Sequence, residues 1–148
     1  MPKATTGALQ VHRSFYDAIE SADVDLMASL WAQSEHTTCV HPGAAPVRGT
    51  AAVLRTWTML MANVGYIQFF LTDIHVMTFP PGDDEPHTAV ITCTENILSG
   101  EGLASAESFS GGKAIATSML VRDGQSWKIW MRHASPVVDL TQTEGEET

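Results

Sequence analysis

The sequence predicts an α+β domain in which three N-terminal helices pack on one face of a curved, mostly antiparallel sheet. Apolar residues recur at helical spacing as far as Asn63, and long β-rich runs separated by turn residues follow. The length of 148 residues and the apolar fraction of 44% suit one domain with its own core. We therefore expect a single domain over residues 11–136, between a flexible N-terminus over residues 1–10 and an acidic, flexible tail over residues 137–148.

The three helices are indicated by apolar spacing and by residues that suit helix ends. The spacing predicts a first helix over Val11–Ala22, and Asp23 can cap a second helix over Val24–Trp31. Thr50 can cap a third helix over Ala51–Asn63, in which apolar residues follow the i, i+3, i+4 pattern.

The strands are indicated by β-branched and aromatic runs that end at turn residues. A short strand over His36–His41 stops at Pro42-Gly43. A polar excursion is predicted over Gly100–Gly112, and Asp123-Gly124 is typical of a hairpin turn. The four longer strands, which together form an antiparallel meander, are predicted at Tyr66–Phe79, His87–Ser99, Lys113–Arg122 and Ser126–Ser135.

Charge and composition exclude several classes of protein. The net charge is −9, from 17 acidic and 8 basic residues, and such a field repels nucleic acid and anionic membrane surfaces. No apolar run approaches the roughly 20 residues that span a bilayer, and the N-terminus lacks the apolar segment of a secretory signal, so we expect a cytoplasmic protein. Cys39 and Cys93 are expected to be reduced and buried. Neither zinc-type Cys/His spacing nor an HExxH motif occurs, so no metal and no other cofactor is expected.

Several short motifs occur in an order and spacing that carry a family resemblance. They are Phe15 to Asp23, Leu30-Trp31, His41-Pro42-Gly43 with Gly49, Trp57, and the run from Trp127 to Ser135. Together they resemble the SnoaL-like branch of the nuclear transport factor 2-like superfamily. The resemblance implies a cone-shaped α+β roll with a pocket between the sheet and three helices. Members include ketosteroid isomerases, scytalone dehydratase, limonene epoxide hydrolase, polyketide cyclases and non-catalytic association modules, so the fold does not determine an activity.

The sequence departs from the ketosteroid isomerases at two positions. Those enzymes carry an oxyanion-hole tyrosine in the first helix, where this chain has Phe15 with Tyr16 beside it. Their general base is an aspartate before a proline, whereas His41 precedes Pro42 here. These differences weaken the case for the isomerase reaction itself, although a histidine with an unperturbed pKa of about 6.5 can still act as a base. The terminal strand also resembles that of the association domain of calcium/calmodulin-dependent kinases, which favours oligomerisation without chemistry.

Two histidines are the first candidates for acid–base chemistry. Alternation along the terminal strand predicts that Ile129, Met131 and His133 face the interior. There His133 would exchange protons with a ligand, or else be a core histidine bonded to a neighbour. His41 ends a strand beside a Pro-Gly loop, where it would act as a base or ligand clamp, or else fix the loop through a hydrogen bond.

Two carboxylates are further candidates for catalysis. Glu95 lies among apolar residues of its strand, so it would be a general acid or base with a raised pKa, or a paired surface acid if that face points outward. Asp73 and His75 share one face of the strand Tyr66–Phe79 and would form a polar pair in the pocket. Ligand-binding roles along the pocket wall are predicted for Trp31, Trp57, Met61, His75 and Met131, although aromatic residues at helical spacing are as typical of an ordinary core.

The opposite face of the terminal strand is predicted to carry Trp130 and Arg132. An exposed tryptophan in the middle of a strand is costly unless something covers it. A second copy of the chain is the simplest cover, so we predict a homodimer with these two residues in its interface. The alternative is that a loop or the C-terminal segment covers Trp130.

We predict a protein that binds a small apolar molecule. Any catalysis would be cofactor-independent proton transfer, of isomerase, dehydratase or cyclase type, on an apolar carbonyl compound. The alternative is a non-catalytic dimerisation or association module with a vestigial pocket. An open cavity that touches His133 and a carboxylate favours ligand binding, whereas an interior filled by Trp31, Trp57, Phe69 and Met131 favours association.

Overall fold

This computed structural model describes residues 3–100 and 109–138 of the chain. These residues contain three helices and six strands. The helices are α1 (Lys3–Ser21), α2 (Val24–Leu30) and α3 (Thr50–Asn63). Among these residues, no helix has the length and apolarity that crossing a membrane requires. The strands are β1 (Thr38–Val40), β2 (Val47–Arg48), β3 (Tyr66–Phe79), β4 (Thr88–Gly100), β5 (Phe109–Asp123) and β6 (Ser126–Pro136).

The strands form one sheet in the order β2-β1-β6-β5-β4-β3. Strands β3 to β6 are the predicted antiparallel meander. Strand β1 instead pairs parallel with β6, with Thr38 opposite Met131, and so brings the end of β1 to the middle of the last strand. The helices bury their apolar sides against one face of the sheet, and the predicted α+β fold class is confirmed.

The element boundaries differ from the predicted ones mainly at the N-terminus. Helix α1 begins at Lys3, well before Val11, so residues 3–10 are helical rather than flexible. Its buried stripe continues upstream through Ala4 and Ala8, which are strong helix formers but give a weak hydrophobic signal. The predicted polar excursion and the acidic tail fall mostly on residues 101–108 and 139–148, which lie outside the described part.

The core lies between the helices and the inner face of the sheet. The ring of Phe15 on α1 meets Trp57 of α3 edge-to-face, with 5.1 Å between centroids, and meets Trp31 at 6.2 Å. Alternate residues of β4 point into this layer, and the buried ones are Ala89, Ile91, Cys93 and Glu95. Residues two apart on a strand share a face, so the regular pleat of β4 carries Glu95 inward with its apolar neighbours.

Strand β6 changes face at a β-bulge. Met119 of β5 pairs with Met131, but Leu120 pairs with Ile129, so Trp130 is an extra residue in β6. Before the bulge Ile129 is buried, and after it Arg132 is buried. The predicted phase of the strand is therefore wrong beyond Ile129, because one unpaired residue reverses every later side chain.

A second irregularity displaces the polar residues of β3. The pairing of β3 with β4 shifts between Thr72 and His75, and Asp73 has a left-handed backbone with φ of 51°. Asp73 and His75 are both exposed. The predicted polar pair of Asp73 and His75 in the pocket is therefore wrong, because the bulge turns both side chains to solvent.

The outer face of the sheet is apolar and exposed. No element of the described part packs on it, because all three helices lie on the other face. Trp130, the bulge residue, is 37% exposed on this side. Large exposed apolar residues on the long strands are Phe70, Ile74, Met77, Phe79, Ile115 and Trp130.

Candidate functional site

A cavity of about 270 Å³ opens between α1, α3 and the inner face of the sheet. This volume lies just below the usual range for ligand sites, which is about 300–1,000 Å³. Three polar side chains reach it, namely His41, Glu95 and Arg132. The rest of the wall is apolar and consists of Ile19, Pro42, Trp57, Leu60, Met61, Val64, Ile67, Phe69 and Ile97.

A buried polar cluster of Tyr16, Glu95 and Arg132 joins α1, β4 and β6 beside this cavity. The Tyr16 hydroxyl donates to Glu95 Oε2 at 2.6 Å, and Arg132 Nη1 lies 2.9 Å from the same oxygen. Arg132 Nη1 also donates to the Tyr16 oxygen at 3.3 Å. Arg132 is 3% exposed and Glu95 1%, so water screens this ion pair very little.

Aromatic rings surround the guanidinium of Arg132. Its central carbon lies 4.6 Å from the ring centroid of Phe15 and 5.8 Å from that of Trp57. Burial is the largest single influence and would lower the pKa of Arg132, but Glu95, together with Tyr16 and Cys39, raises it, so the group stays charged. Its bonds to the cluster use Nη1, and its Nε has no hydrogen-bond partner among the described residues. Nε is buried, so it is an unpaired donor inside the core.

The cluster continues towards His12 on α1. Cys93 Sγ lies 3.5 Å from the Tyr16 oxygen and 3.8 Å from His12 Nε2. Burial, with a smaller contribution from the Arg132 charge, lowers the pKa of His12 to about 4. Burial raises the pKa values of Tyr16 and Cys93, so all three groups are neutral at neutral pH.

His41 stands at the cavity wall directly after β1. Its ring packs edge-to-face on Trp57, with 4.7 Å between centroids. Its Nε2 lies 3.2 Å from Thr56 Oγ1 and 3.8 Å from Cys39 Sγ. Burial and the positive charge of Arg132 lower the pKa of His41, so the imidazole is neutral at neutral pH and can accept a proton.

The structure brings four of the residues predicted for the site to one cavity. His41, Glu95, Trp57 and Met61 all line it. Trp31 is buried as expected, but it packs on Phe15 and beside β6 rather than lining the cavity.

Other predicted orientations are wrong. His133 is exposed on the outer face of β6, and Met131 shares that face, because the bulge at Trp130 reverses the strand. Arg132, predicted for an outer interface, lies in the core for the same reason. The residue of β6 that lines the cavity is therefore Arg132 and not, as predicted, His133.

Sequence reasoning missed Tyr16 as the partner of Glu95, and it missed His12 beside Tyr16. The two residues are four apart on α1 and therefore share a helix face, and their rings meet at 5.1 Å. Two polar side chains inside an otherwise apolar helix stripe were the available signal. Arg132 had no such signal, because no glycine or proline marks the bulge before it.

Larger hollows lie away from this cluster. One of about 480 Å³ adjoins the first turns of α1 and mixes the charges of Lys3 and Arg122 with those of Asp84 and Glu85. Another, of about 470 Å³, is a shallow apolar depression on the outer face beside Phe79. Neither hollow combines an apolar wall with a buried ionisable pair, and the 270 Å³ cavity does.

The chain is similar to proteins of known structure over most of its length. The family model of the SnoaL-like domain matches residues 8–139. A Streptomyces avermitilis protein, provisionally described as a dehydratase of the nuclear transport factor 2-like family, is 36% identical with a TM-score of 0.79, covering 91% of this chain and 97% of that one. No curated protein matches the chain.

Two more distant structures share the fold. A Thiobacillus denitrificans protein, provisionally described as a calcium/calmodulin-dependent protein kinase type II association domain, is 24% identical with a TM-score of 0.71, covering 86% of this chain and 93% of that one. A Novosphingobium aromaticivorans protein, provisionally described as a scytalone dehydratase, is 9% identical with a TM-score of 0.74, covering 91% and 85%. The family match over residues 8–139 and the 36% identical structure show that the chain belongs to the SnoaL-like family within the nuclear transport factor 2-like superfamily.

Proposed function

We propose that this protein binds a small, largely apolar carbonyl compound in the cavity and catalyses proton transfer on it. The observation that carries the proposal is the pairing of a buried, charged Arg132 with a neutral His41 at one apolar cavity. An apolar wall with a few convergent polar groups is the usual composition of a ligand site.

Arg132 is the group proposed to hold the carbonyl oxygen. A guanidinium offers only hydrogen-bond donors, and Arg132 lines the cavity. Glu95 and Tyr16 fix its position, so little reorganisation is needed when negative charge develops on the ligand oxygen.

His41 is the group proposed to move the proton. The neutral imidazole takes a proton from the carbon next to the carbonyl, and the electron pair of that C–H bond moves onto the oxygen to give an enolate beside Arg132. The imidazolium then returns the proton, either to another carbon in an isomerisation or to a leaving hydroxyl, which departs as water in a dehydration. The 36% identical Streptomyces avermitilis protein carries a provisional dehydratase description, which agrees with the second course.

The proposal is tested with 2-tetralone, a bicyclic ketone, and tetralin, the same skeleton without the carbonyl. We expect 2-tetralone to raise the melting temperature more than tetralin does, because only the ketone can accept from Arg132. In D₂O the protein should accelerate deuterium uptake at the carbons next to the carbonyl, measured by proton NMR. His41→Asn should lower that rate by about 10²- to 10⁴-fold.

His36→Asn is the matched control, since it makes the same change at a histidine whose side chain is 73% exposed and does not line the cavity. It should leave both the melting shift and the exchange rate unchanged. Equal exchange rates in the wild type and His41→Asn would contradict the role of His41. Equal melting shifts with the two probes would contradict the role of Arg132.

We also propose that a second copy of the chain covers the outer face of the sheet. A two-fold interface sets each patch against itself, so like charges there would repel. The outward side of β4 suits this arrangement, because its residues are all uncharged: Val90, Thr92, Thr94, Asn96 and Leu98. An exposed apolar face of this kind is typical of an interaction surface.

Ile115→Glu is expected to give monomers in sedimentation, because it would bring two carboxylates together inside the interface. Val24→Glu is the matched control, since Val24 on α2 and Ile115 on β5 are each 44% exposed. Val24 lies outside the sheet, so that variant should remain a dimer. A dimeric Ile115→Glu variant would contradict the proposed interface.

The two proposals can be separated. An association module without ligand binding would show the Ile115→Glu effect and no response to 2-tetralone. A ligand-binding dimer would show both results.

A further inference from the structure

We propose that Thr56 is a positioning residue that fixes the tautomer of His41, so that Nδ1 is the ring nitrogen that accepts the proton. The catalytic consequence rests on the function proposed above. The tautomer itself can be measured without any ligand.

The Thr56 hydroxyl has a single hydrogen to donate. Thr56 Oγ1 lies 2.7 Å from the backbone oxygen of Val53, one turn earlier in α3. A carbonyl oxygen has no hydrogen to give, so the hydroxyl hydrogen must lie between these two oxygens. The Thr56 oxygen can therefore only accept from any other partner.

The second partner of that oxygen is His41 Nε2, at 3.2 Å. Because Thr56 can only accept here, Nε2 must carry the hydrogen of this bond. The opposite assignment would leave the oxygens of Thr56 and Val53 at 2.7 Å with no hydrogen between them. That arrangement would be repulsive.

A neutral imidazole has one N–H, so a hydrogen on Nε2 leaves the lone pair on Nδ1. His41 is neutral at neutral pH because burial and the Arg132 charge both disfavour the imidazolium. Nδ1 has no hydrogen-bond partner among residues 3–100 and 109–138, whereas Nε2 has two neighbours, Thr56 and Cys39.

Cys39 is consistent with the same tautomer. Its sulfur lies 3.8 Å from Nε2, farther than the Thr56 oxygen, and sulfur is the weaker acceptor. Burial raises the pKa of Cys39 to about 11, so no thiolate competes for the proton of the ring.

Helix α3 therefore determines the orientation of a base that lies outside it. Thr56 is held by its bond to Val53, and its neighbour Trp57 packs edge-to-face with the His41 ring. The imidazole contacts two consecutive residues of one helix, and these contacts fix both the plane of the ring and its tautomer.

The test is ¹⁵N NMR of the histidine rings at neutral pH, with the His41 signals assigned by their loss in His41→Asn. We expect Nε2 protonated and Nδ1 unprotonated in the wild type and in Thr56→Ser, which keeps the hydroxyl. Thr56→Val has nearly the same shape and lacks the acceptor, so its ring signals should show a mixture of tautomers or a displaced ring. A wild-type His41 protonated on Nδ1 would overturn the inference, whether or not the variants fold.

A second experiment measures the rate of deuterium uptake into 2-tetralone for the same variants. Thr56→Val should lower kcat roughly 10- to 100-fold with little change in KM, because a misdirected base affects the chemical step rather than binding. Thr56→Ser should restore most of the rate. Unchanged kcat in Thr56→Val would overturn the positioning role. Wild-type protein that gives no exchange would instead refute the proposed function, and the NMR result would still decide the tautomer.

Discussion

Replacing Arg132 by methionine is expected to lower the free energy of unfolding by about 3–5 kcal/mol, because it leaves the Glu95 carboxylate buried without its ion-pair partner. The Tyr16 hydroxyl still donates to that carboxylate at 2.6 Å, but one neutral hydrogen bond does not replace a charge. Urea unfolding followed by tryptophan fluorescence measures the change.

The double variant Arg132→Met with Glu95→Gln separates the interaction from the loss of packing. Removing both charges leaves a neutral amide that can still accept from Tyr16, so the double variant should be more stable than Arg132→Met alone. A double variant as unstable as the sum of the two single variants would show that the ion pair does not couple Arg132 to Glu95.

The same double variant tests why an ion pair is kept in this core. An apolar replacement of similar size is often as stable as a buried ion pair, so stability alone does not explain Arg132. If the guanidinium serves a ligand, the double variant should fold but should no longer distinguish 2-tetralone from tetralin. Retained preference for the ketone would mean that another group holds the carbonyl oxygen.

The sequence left both orientations of Glu95 open, whereas it placed Arg132 on the wrong face of its strand. Strand β4 has an unbroken period of two, so the apolar neighbours of Glu95 indicate which way the carboxylate faces. Strand β6 contains an extra residue at Trp130, and the alternation read from Trp127 reverses there. The fold was still predicted correctly, because predicting the fold requires only knowing which segments are strands. Predicting the site also requires the phase of each strand.

Helix α1 illustrates a second limit of prediction from the sequence. The helix was predicted from apolar residues at helical spacing, taken from Val11 onwards. The alanines that extend it to Lys3 bury little surface but favour helix strongly. Tyr16 was one position from the expected oxyanion-hole residue, and only the packing of α1 on β4 shows that Tyr16, rather than Phe15, reaches Glu95.

Acidification is expected to destabilise the protein through His12. The pKa of His12 is about 4 in the folded protein because burial, then Arg132, disfavours its charged form, and it returns to about 6.5 on unfolding. As pH falls, the unfolded chain therefore binds the proton first. The contribution of His12 to stability is complete above about pH 6.5 and is lost as pH falls towards 4. At about 1.4 kcal/mol per pKa unit, the loss is about 3 kcal/mol.

The measurement is urea unfolding at several pH values between 7.5 and 4, comparing the wild type with His12→Gln. Carboxylates elsewhere titrate in both proteins, so the difference between the two curves isolates His12. His36→Gln is the control, since the side chain of His36 is 73% exposed, and its curve should follow the wild type. Among the neighbours of His12, Tyr16 and Cys93 stay neutral and Arg132 stays charged across this range. Parallel curves for the wild type and His12→Gln would mean that the imidazole takes up its proton equally well inside the folded core.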